Sequence, residues 1–133
     1  LNLLKDLQIK YSLTYLFISH NLSVVRYLAN TVAIMYLGKI VEQGPVENLF
    51  NNPKHPYTKS LLNSVPDLGD RKPFEPLIGD VPSPLQPPAA CHFHPRCPIY
   101  LEEEKSSFLA KKCVTEYPKI SGEKNNFVRC HAK

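Results

Sequence analysis

TVAIMYLGKIVEQGP, residues 31–45, decides the fold class of this 133-residue chain. Two β-rich runs, Thr31–Tyr36 and Lys39–Gln43, flank the turn dipeptide Leu37-Gly38. Two such runs joined by a glycine-containing turn predict a β-hairpin. We expect this hairpin to lie at the edge of a sheet.

Upstream of the hairpin, hydrophobic periodicity predicts two helices around one buried strand. Apolar residues recur with helical spacing in Leu1–Lys10 and again in Leu22–Ala29, and Asn21 or Ser19 is placed to cap the second helix. Between them, Leu13–Ile18 is a nearly continuous, β-rich apolar run. Such a run is typical of a strand in a parallel sheet that helices cover on both faces, so we expect it to be buried.

Two further helices are predicted downstream of the hairpin. Pro45 suits the first position of a short helix through Phe50, and a second helix is expected from about His55 to Val65. The resulting order of helix, buried strand, helix and strand pair is an α/β pattern whose earlier strands are missing. We therefore treat residues 1–65 as one unit with a truncated sheet.

The composition changes after Pro66. Prolines are frequent between Pro73 and Pro98. Because proline fixes φ and lacks an N–H donor, this stretch should be extended and lie over a surface without regular structure. Residues 66–133 are expected to form a second, loop-rich unit whose few apolar side chains build little core. A metal centre would supply the missing stabilisation.

Four cysteines fall in this second unit: Cys91, Cys97, Cys113 and Cys130. Thiols clustered in a chain whose first residues show no secretion signal more often hold a metal or an iron–sulfur cluster than form disulfides. Four thiolates bind zinc tetrahedrally or hold a 4Fe–4S cluster. The gaps of five, fifteen and sixteen residues are wider than the Cys-x₂₋₄-Cys pairs of structural zinc sites, which favours a cluster wrapped by loops.

Two other interpretations of the thiols stay open. His92, His94 and His131 are near them in sequence and would allow mixed Cys/His ligation of zinc. Alternatively, the four thiols stay reduced and some of them are buried as small hydrophobes, with no metal.

His20 is the candidate catalytic residue. It follows the apolar run Leu13–Ile18, and in an open parallel sheet functional groups collect just beyond the carboxyl ends of the strands. A histidine there can donate a hydrogen bond to a terminal phosphate. The competing interpretation is a histidine that only caps the next helix.

Several motifs together resemble one protein family. YLFISHNLSVV (residues 15–25) looks like the switch-histidine strand and loop of ABC transporter ATPases, and MYLGKIVEQG (residues 35–44) looks like the strand pair that follows it. In order, HPYT (residues 55–58), VPSP (residues 81–84) and FHPRCP (residues 93–98) resemble the C-terminal extension of the oligopeptide/dipeptide subfamily. The likeness covers nearly the whole chain.

The resemblance implies a protein that hydrolyses ATP, with Mg²⁺, to drive the import of oligopeptides or dipeptides. His20 would be the switch histidine, which contacts the γ-phosphate and helps to position the attacking water. Residues 1–65 would be the C-terminal part of a P-loop ABC nucleotide-binding domain. Residues 66–133 would be the extension, whose four cysteines would hold a 4Fe–4S cluster, as in some peptide-importer ATPases.

The resemblance also implies partners and a location. The partners would be a second ATPase subunit, identical or homologous, the membrane permease subunits and, indirectly, an extracytoplasmic peptide-binding protein. The protein would be peripheral, on the cytoplasmic face of the cell membrane. Nucleic acid is not expected as a partner, because the net charge of +4 is spread along the chain rather than gathered on one stripe or helix.

The sequence contains no Gly-x-x-x-x-Gly-Lys-Ser/Thr phosphate loop. The glutamine loop, the signature motif and the acidic residues that bind magnesium and polarise water are absent too. We therefore predict that this chain alone neither binds nor hydrolyses ATP. A rival hypothesis of a different class is a free-standing domain that a bound metal stabilises and that binds other proteins or nucleic acid.

Overall fold

The computed structural model describes residues 1–65 and 76–133. Its α-helices are α1 (Asn2–Tyr11), α2 (Leu22–Leu28), α3 (Val46–Asn51), α4 (Pro56–Asn63), α5 (Pro98–Glu102) and α6 (Phe108–Thr115). A 3₁₀-helix spans His94–Arg96. The strands are β1 (Thr31–Tyr36), β2 (Lys39–Pro45), β3 (Ser121–Glu123) and β4 (Asn126–Val128).

Strands β1 and β2 form the predicted hairpin. Leu37 and Gly38 at its turn have φ values of 43° and 75°, as in a type I′ turn, whose backbone twist matches that of the flanking strands. Side chains alternate along β1 between exposed and buried. The buried ones belong to Val32, Ile34 and Tyr36. This part of the sequence prediction is confirmed.

A β-bulge interrupts the pairing in β2. Ile34 pairs with Glu42, whereas Met35 pairs with Ile40, so Val41 is the extra residue on its strand. As a result Val41 and Glu42, which are adjacent in sequence, are both buried. The bulge thus brings an apolar side chain and a carboxylate into the interior side by side.

The sheet has four strands in the order β1-β2-β4-β3. All neighbouring pairs are antiparallel, and Glu42 lies opposite Val128. The hairpin of β3 and β4 therefore extends the sheet with residues from the cysteine-bearing region, which the sequence did not predict. Gly122 in β3 has φ of 117°, and a Cβ there would overlap the backbone of Asn126.

Phe93 places an aromatic side chain from the cysteine-bearing region in the main core. Its exposed fraction is 1%. Its ring centroid lies 5.1 Å from that of Tyr36, 5.4 Å from that of Tyr57 and 5.5 Å from that of His55. Edge-to-face and tilted aromatic contacts at these separations stabilise a core beyond the area they bury. Phe93 thus joins the loop before the 3₁₀-helix to both β1 and α4.

Most of the predicted helices are confirmed. Helix α1 matches the first amphipathic segment, and α2 begins after Asn21, whose side chain accepts a hydrogen bond from the Val24 N–H. Of the two candidate caps, Asn21 is therefore the one used. Helix α3 begins one residue later than expected, since Pro45 is its N-cap, and α4 begins at Pro56.

The prediction of a buried strand at Leu13–Ile18 is wrong. These residues are neither helix nor strand, and all are exposed, with Leu16 at 92% and Ile18 at 90%. A strand that is buried on both faces needs hydrogen-bonded neighbours, and none of the four strands in the described ranges pairs with this segment. The segment is instead held to α1, where the Tyr15 hydroxyl donates to the Leu4 carbonyl at 3.2 Å.

The α/β class is confirmed in outline, but the expected parallel sheet is wrong, because every strand pair in the described residues is antiparallel. Residues 76–90 contain no helix or strand, as predicted. The same prediction is wrong at the end of the proline-rich stretch, where the 3₁₀-helix His94–Arg96 forms and α5 begins at Pro98. Pro66 and Pro73 lie outside the described residues. The division at 65/66 stays a prediction.

Across residues 1–65 and 76–133, no helix has the length and apolar character that crossing a membrane requires.

We predict that Phe93→Ala destabilises the fold by about 3–5 kcal/mol, because it empties a filled aromatic site. Phe108→Ala is the matched control. Phe108 is 75% exposed, so its loss should change the free energy of unfolding by less than about 1 kcal/mol. Urea denaturation followed by far-UV circular dichroism measures both variants. Equal small effects would contradict the position of Phe93 in the core.

Candidate functional site

The four cysteines line one cavity of about 20 Å³. Cys91 lies in the loop before the 3₁₀-helix, Cys97 at the start of α5, Cys113 in α6 and Cys130 after β4. All are free thiols. The fold therefore brings together the residues that the sequence predicted as ligands, and three histidines also line the cavity: His55, His94 and His131.

Backbone hydrogen bonds hold the first three cysteine-bearing segments together. The Cys91 N–H donates to the Cys113 carbonyl at 3.2 Å, which ties the loop to α6. The Cys97 N–H donates to the His94 carbonyl at 3.2 Å, and Cys97 is the N-cap residue of α5. These positions are thus set by the backbone rather than by the thiols themselves.

Glu42 connects the cavity to the sheet. It is 4% exposed, and its two carboxylate oxygens accept hydrogen bonds from the Lys54 N–H at 2.8 Å and the His55 N–H at 2.9 Å. Its partner across the ladder is Val128, two residues before Cys130. Hydrogen bonds to a carboxylate are stronger than those between neutral groups. The Glu42 side chain therefore fixes the approach to α4, while its strand pairs with the end of β4 beside the cavity.

His55 is 2% exposed and lines the cavity. Its Nδ1 accepts a hydrogen bond from the Tyr57 N–H at 3.1 Å, which caps α4. Burial lowers the pKa of the ring to about 4, so the ring is neutral at pH 7. Since Nδ1 uses its lone pair as an acceptor, the proton of the neutral ring is on Nε2.

His94 and His131 have the opposite arrangement. His94 Nδ1 lies 2.8 Å from the Cys91 carbonyl oxygen, and His131 Nε2 lies 2.8 Å from the Glu116 carbonyl oxygen. A carbonyl oxygen only accepts, so these nitrogens donate, and the neutral rings keep a lone pair on the other nitrogen. Histidines that bind metals commonly donate their second ring N–H in this way.

Burial makes the thiols weak acids. The pKa of Cys91 is raised to about 12, mainly by burial and further by the three other cysteines, against one favourable backbone hydrogen bond. Burial likewise raises the pKa of Cys113 to about 11 and raises those of Cys97 and Cys130. The metal-free thiols are therefore protonated at pH 7, and a bound metal must displace those protons.

The donor set suits zinc or an iron–sulfur cluster, but the side chains are not arranged as a finished site. In residues 1–65 and 76–133, no group of three or more His, Cys, Asp or Glu side chains is placed to hold a metal ion. A cavity of about 20 Å³ has room for little more than one water molecule. A cubane cluster would require the thiols to move apart. Of the histidines predicted as alternative ligands, His92 is not among the described residues that line the cavity.

His20 lies elsewhere, at an exposed bend before α2. The loop around it is ordered by local hydrogen bonds. The Asn21 N–H donates to the Ser19 hydroxyl at 3.0 Å, and the Val24 N–H donates to the Asn21 side chain at 3.2 Å. The imidazole is therefore open to solvent, and among the described residues it does not belong to the cysteine cavity.

Sequence reasoning missed two residues of this site. Glu42 was not singled out, because one acidic residue in a short strand is usually solvated; only the bulge buries it beside Val41. His55 was noted as part of a motif without a place at the cavity. The one available signal was its position before Pro56, which marks the start of a helix and hence a cap.

Residues 41–103 match the family described as the oligopeptide/dipeptide transporter C-terminal region. The chain is 41% identical over 98% of its length to the di/tripeptide transport ATP-binding protein DppF of Pseudomonas aeruginosa, covering 38% of that protein. It is 52% identical over 73% of its length to the dipeptide transport ATP-binding protein DppF of Escherichia coli, covering 30%.

A third relative is the oligopeptide transport ATP-binding protein AppF of Bacillus subtilis, 42% identical over 98% of the chain and 39% of that protein. The chain thus spans between 30% and 39% of the length of these relatives. Each of the three is named as an ATP-binding protein of a transport system. They give no support to a free-standing interaction or nucleic-acid-binding module.

In the metal-free chain at pH 8, we predict that Cys91 reacts with iodoacetamide on the order of 100-fold more slowly than in the urea-unfolded chain. The thiolate is the nucleophile, and a pKa of about 12 leaves almost none of it. Peptide mass spectrometry gives the rate for each cysteine, and the unfolded chain is its own control. Equal rates at Cys91 in the two states would show that the cavity is open.

Proposed function

This chain belongs to the oligopeptide/dipeptide transporter C-terminal region family, and on that premise we propose that it is the C-terminal part of the ATP-binding subunit of a peptide ABC importer. The whole subunit couples ATP hydrolysis, with Mg²⁺, to oligopeptide or dipeptide uptake. The observation that carries this proposal is the 41% identity over 98% of the chain to a di/tripeptide transport ATP-binding protein.

In the proposed subunit, His20 contacts the γ-phosphate of ATP and helps to position the attacking water. Its exposed imidazole, next to the Asn21 cap of α2, supports this role because a capped helix start holds the loop in one conformation. Catalysis of phosphoryl transfer depends mainly on such positioning and on charge stabilisation. His20 would contribute one hydrogen bond to a site whose phosphate loop, signature and magnesium ligands are not in this chain.

We also propose that Cys91, Cys97, Cys113 and Cys130 hold a 4Fe–4S cluster, with zinc as the alternative occupant. Their convergence on one cavity, with His94 and His131 beside them, supports a bound centre, and the wide cysteine spacing favours the cluster. The centre would be structural. It would fasten the 3₁₀-helix, α5, α6 and the end of β4 to one another in a region with little apolar core.

The proposed partners are those that the family resemblance implies. A peptide importer of this type pairs two ATPase subunits, identical or homologous, beneath membrane permease subunits, and it works with an extracytoplasmic peptide-binding protein. The subunit would therefore be peripheral, on the cytoplasmic face of the membrane. The exposed apolar segment Leu13–Ile18 is consistent with burial in a larger assembly.

For the cysteine centre, we predict that anaerobically purified chain contains stoichiometric iron and sulfide and absorbs broadly near ~400 nm. Each Cys→Ser substitution should lower the iron content, whereas Ser106→Ala, outside the cavity, should not. A colourless chain that contains one zinc ion would indicate a structural zinc site in place of the cluster. Neither iron nor zinc would overturn the proposed centre.

For nucleotide binding, we predict that isothermal titration with Mg-ATP shows no saturable binding to the chain alone, because the phosphate loop is absent. A chimera that joins the chain to the upstream part of the 52%-identical relative should bind and hydrolyse ATP. In the chimera, His20→Ala should slow turnover about 100-fold, as the loss of one stabilising donor commonly does.

His92→Ala is the control in the chimera, since His92 lies in the extension and should leave turnover unchanged. Saturable, magnesium-dependent binding by the chain alone would contradict its predicted inactivity. Unchanged turnover in the His20→Ala chimera would show that His20 has no catalytic role. The family assignment would still hold, because it does not depend on His20.

A further inference from the structure

Two positive side chains from distant parts of the sequence meet on the ring of Tyr117. Lys39 is the first residue of β2, Arg129 directly follows β4, and Tyr117 lies between α6 and β3. The Lys39 Nζ lies 5.6 Å from the centroid of the Tyr117 ring, and the Arg129 Cζ lies 5.5 Å from the same centroid. We call these three residues the Tyr117 cluster.

The sheet sets the position of both cations. The Arg129 N–H donates to the Val41 carbonyl at 2.8 Å, which continues the pairing of β4 with β2, and Lys39 is two residues before Val41. The Arg129 Cζ also lies 5.9 Å from the centroid of Phe127, whose side chain is buried. The guanidinium is therefore within cation–π distance of two rings, while Lys39 is exposed on the neighbouring strand.

The hydrogen-bond donors of this cluster lack acceptors. A guanidinium has five N–H donors and an ammonium has three. In the part of the chain that the structure describes, the other two arginines are engaged: Arg26 forms an ion pair at 3.9 Å, and Arg96 donates to a backbone carbonyl at 3.0 Å. The side chains of Arg129 and Lys39 have no such partner there. Contact with an aromatic ring attracts a cation but supplies no lone-pair oxygen to its N–H groups.

The charges and donors together select the ligand. Two positive charges held on one ring repel each other, and an anion bound beside them would offset that repulsion and accept their hydrogen bonds. The planar fork of arginine matches the oxygens of a carboxylate or a phosphate. A carboxylate carries one negative charge, whereas a phosphomonoester carries about −1.5 to −2 charges at pH 7 and has three acceptor oxygens. Two cations and the Tyr117 hydroxyl therefore favour the phosphoryl group.

We propose that the Tyr117 cluster binds a phosphoryl dianion, with the Arg129 guanidinium as the bidentate donor and the Lys39 ammonium as the second positive charge. The site is separate from His20 and needs no metal in the cysteine cavity, so the tests of the proposed function leave it unaffected. Inorganic phosphate and the phosphomonoester headgroup of phosphatidic acid share this chemistry. Mg-ATP should not compete for the cluster, because Mg²⁺ already neutralises its phosphate oxygens.

The first test is a titration of the ¹⁵N-labelled 133-residue chain with inorganic phosphate, followed by NMR at neutral pH and constant ionic strength. We expect saturable shifts of the Arg129 Nε–H and of the Lys39 and Tyr117 amides. Acetate, a carboxylate of single charge, should bind at least about 10-fold more weakly, because it pairs with only one of the two cations. Shifts that do not saturate, or that acetate reproduces at equal concentration, would overturn the proposal.

The second test separates a built site from the effect of net charge. Arg129→Gln and Lys39→Gln should each weaken phosphate binding about 10-fold, the usual result of losing a charge-assisted hydrogen bond. Lys124→Gln removes the same charge from the exposed turn between β3 and β4, outside the cluster, and should change binding less than about 2-fold. Equal weakening in all three variants would refute a specific site. Far-UV circular dichroism checks folding, and the exposed Lys39 decides the comparison if Arg129→Gln does not fold.

A flotation assay identifies the source of the phosphoryl group. The chain is mixed with phosphatidylcholine vesicles that contain or lack phosphatidic acid. Flotation that requires phosphatidic acid and is weakened by Lys39→Gln, but not by Lys124→Gln, assigns the site to a lipid headgroup. Saturable phosphate binding without flotation assigns it to free phosphate. A chain that neither floats nor binds phosphate has no such site.

Discussion

The buried carboxylate of Glu42 is the constraint on which the rest of the structure depends. Burying an ionised group is unfavourable unless hydrogen bonds replace its water, and here the N–H groups of Lys54 and His55 do so. The bulge in β2 buries this carboxylate in the interior. The chain that follows α3 must therefore pass close enough for its N–H groups to reach the carboxylate oxygens. The start of α4 and the position of His55 follow from that requirement.

The cysteine-bearing region is anchored to the sheet by few but buried groups. Phe93 fills the space among Tyr36, Tyr57 and His55, and β4 pairs with β2 at Glu42 and Gln43. The Pro-rich stretch between contributes no helix or strand over residues 76–90. The region is thus part of the same core as the hairpin, although its own apolar content is small.

Burial affects the cavity's ionisable groups in a consistent direction. It lowers the pKa of His55 to about 4 and raises that of Cys91 to about 12, because burial disfavours the charged form of each group. At neutral pH the His55 ring and the Cys91 thiol are therefore both uncharged. A metal bound to the four cysteines would therefore have to displace their thiol protons.

The sequence by itself determined the elements that local patterns encode: the hairpin at residues 31–45 through its turn, α1 through its periodicity, and α2 and α4 through their caps and Pro56. It also named all four cysteines of the cavity. Only the tertiary structure decided that Leu13–Ile18 forms no strand, because pairing depends on neighbours that a local apolar run does not specify. The burial of Glu42, the addition of β3 and β4 to the sheet and the place of His55 were likewise non-local, since each depends on contacts between residues far apart in the chain.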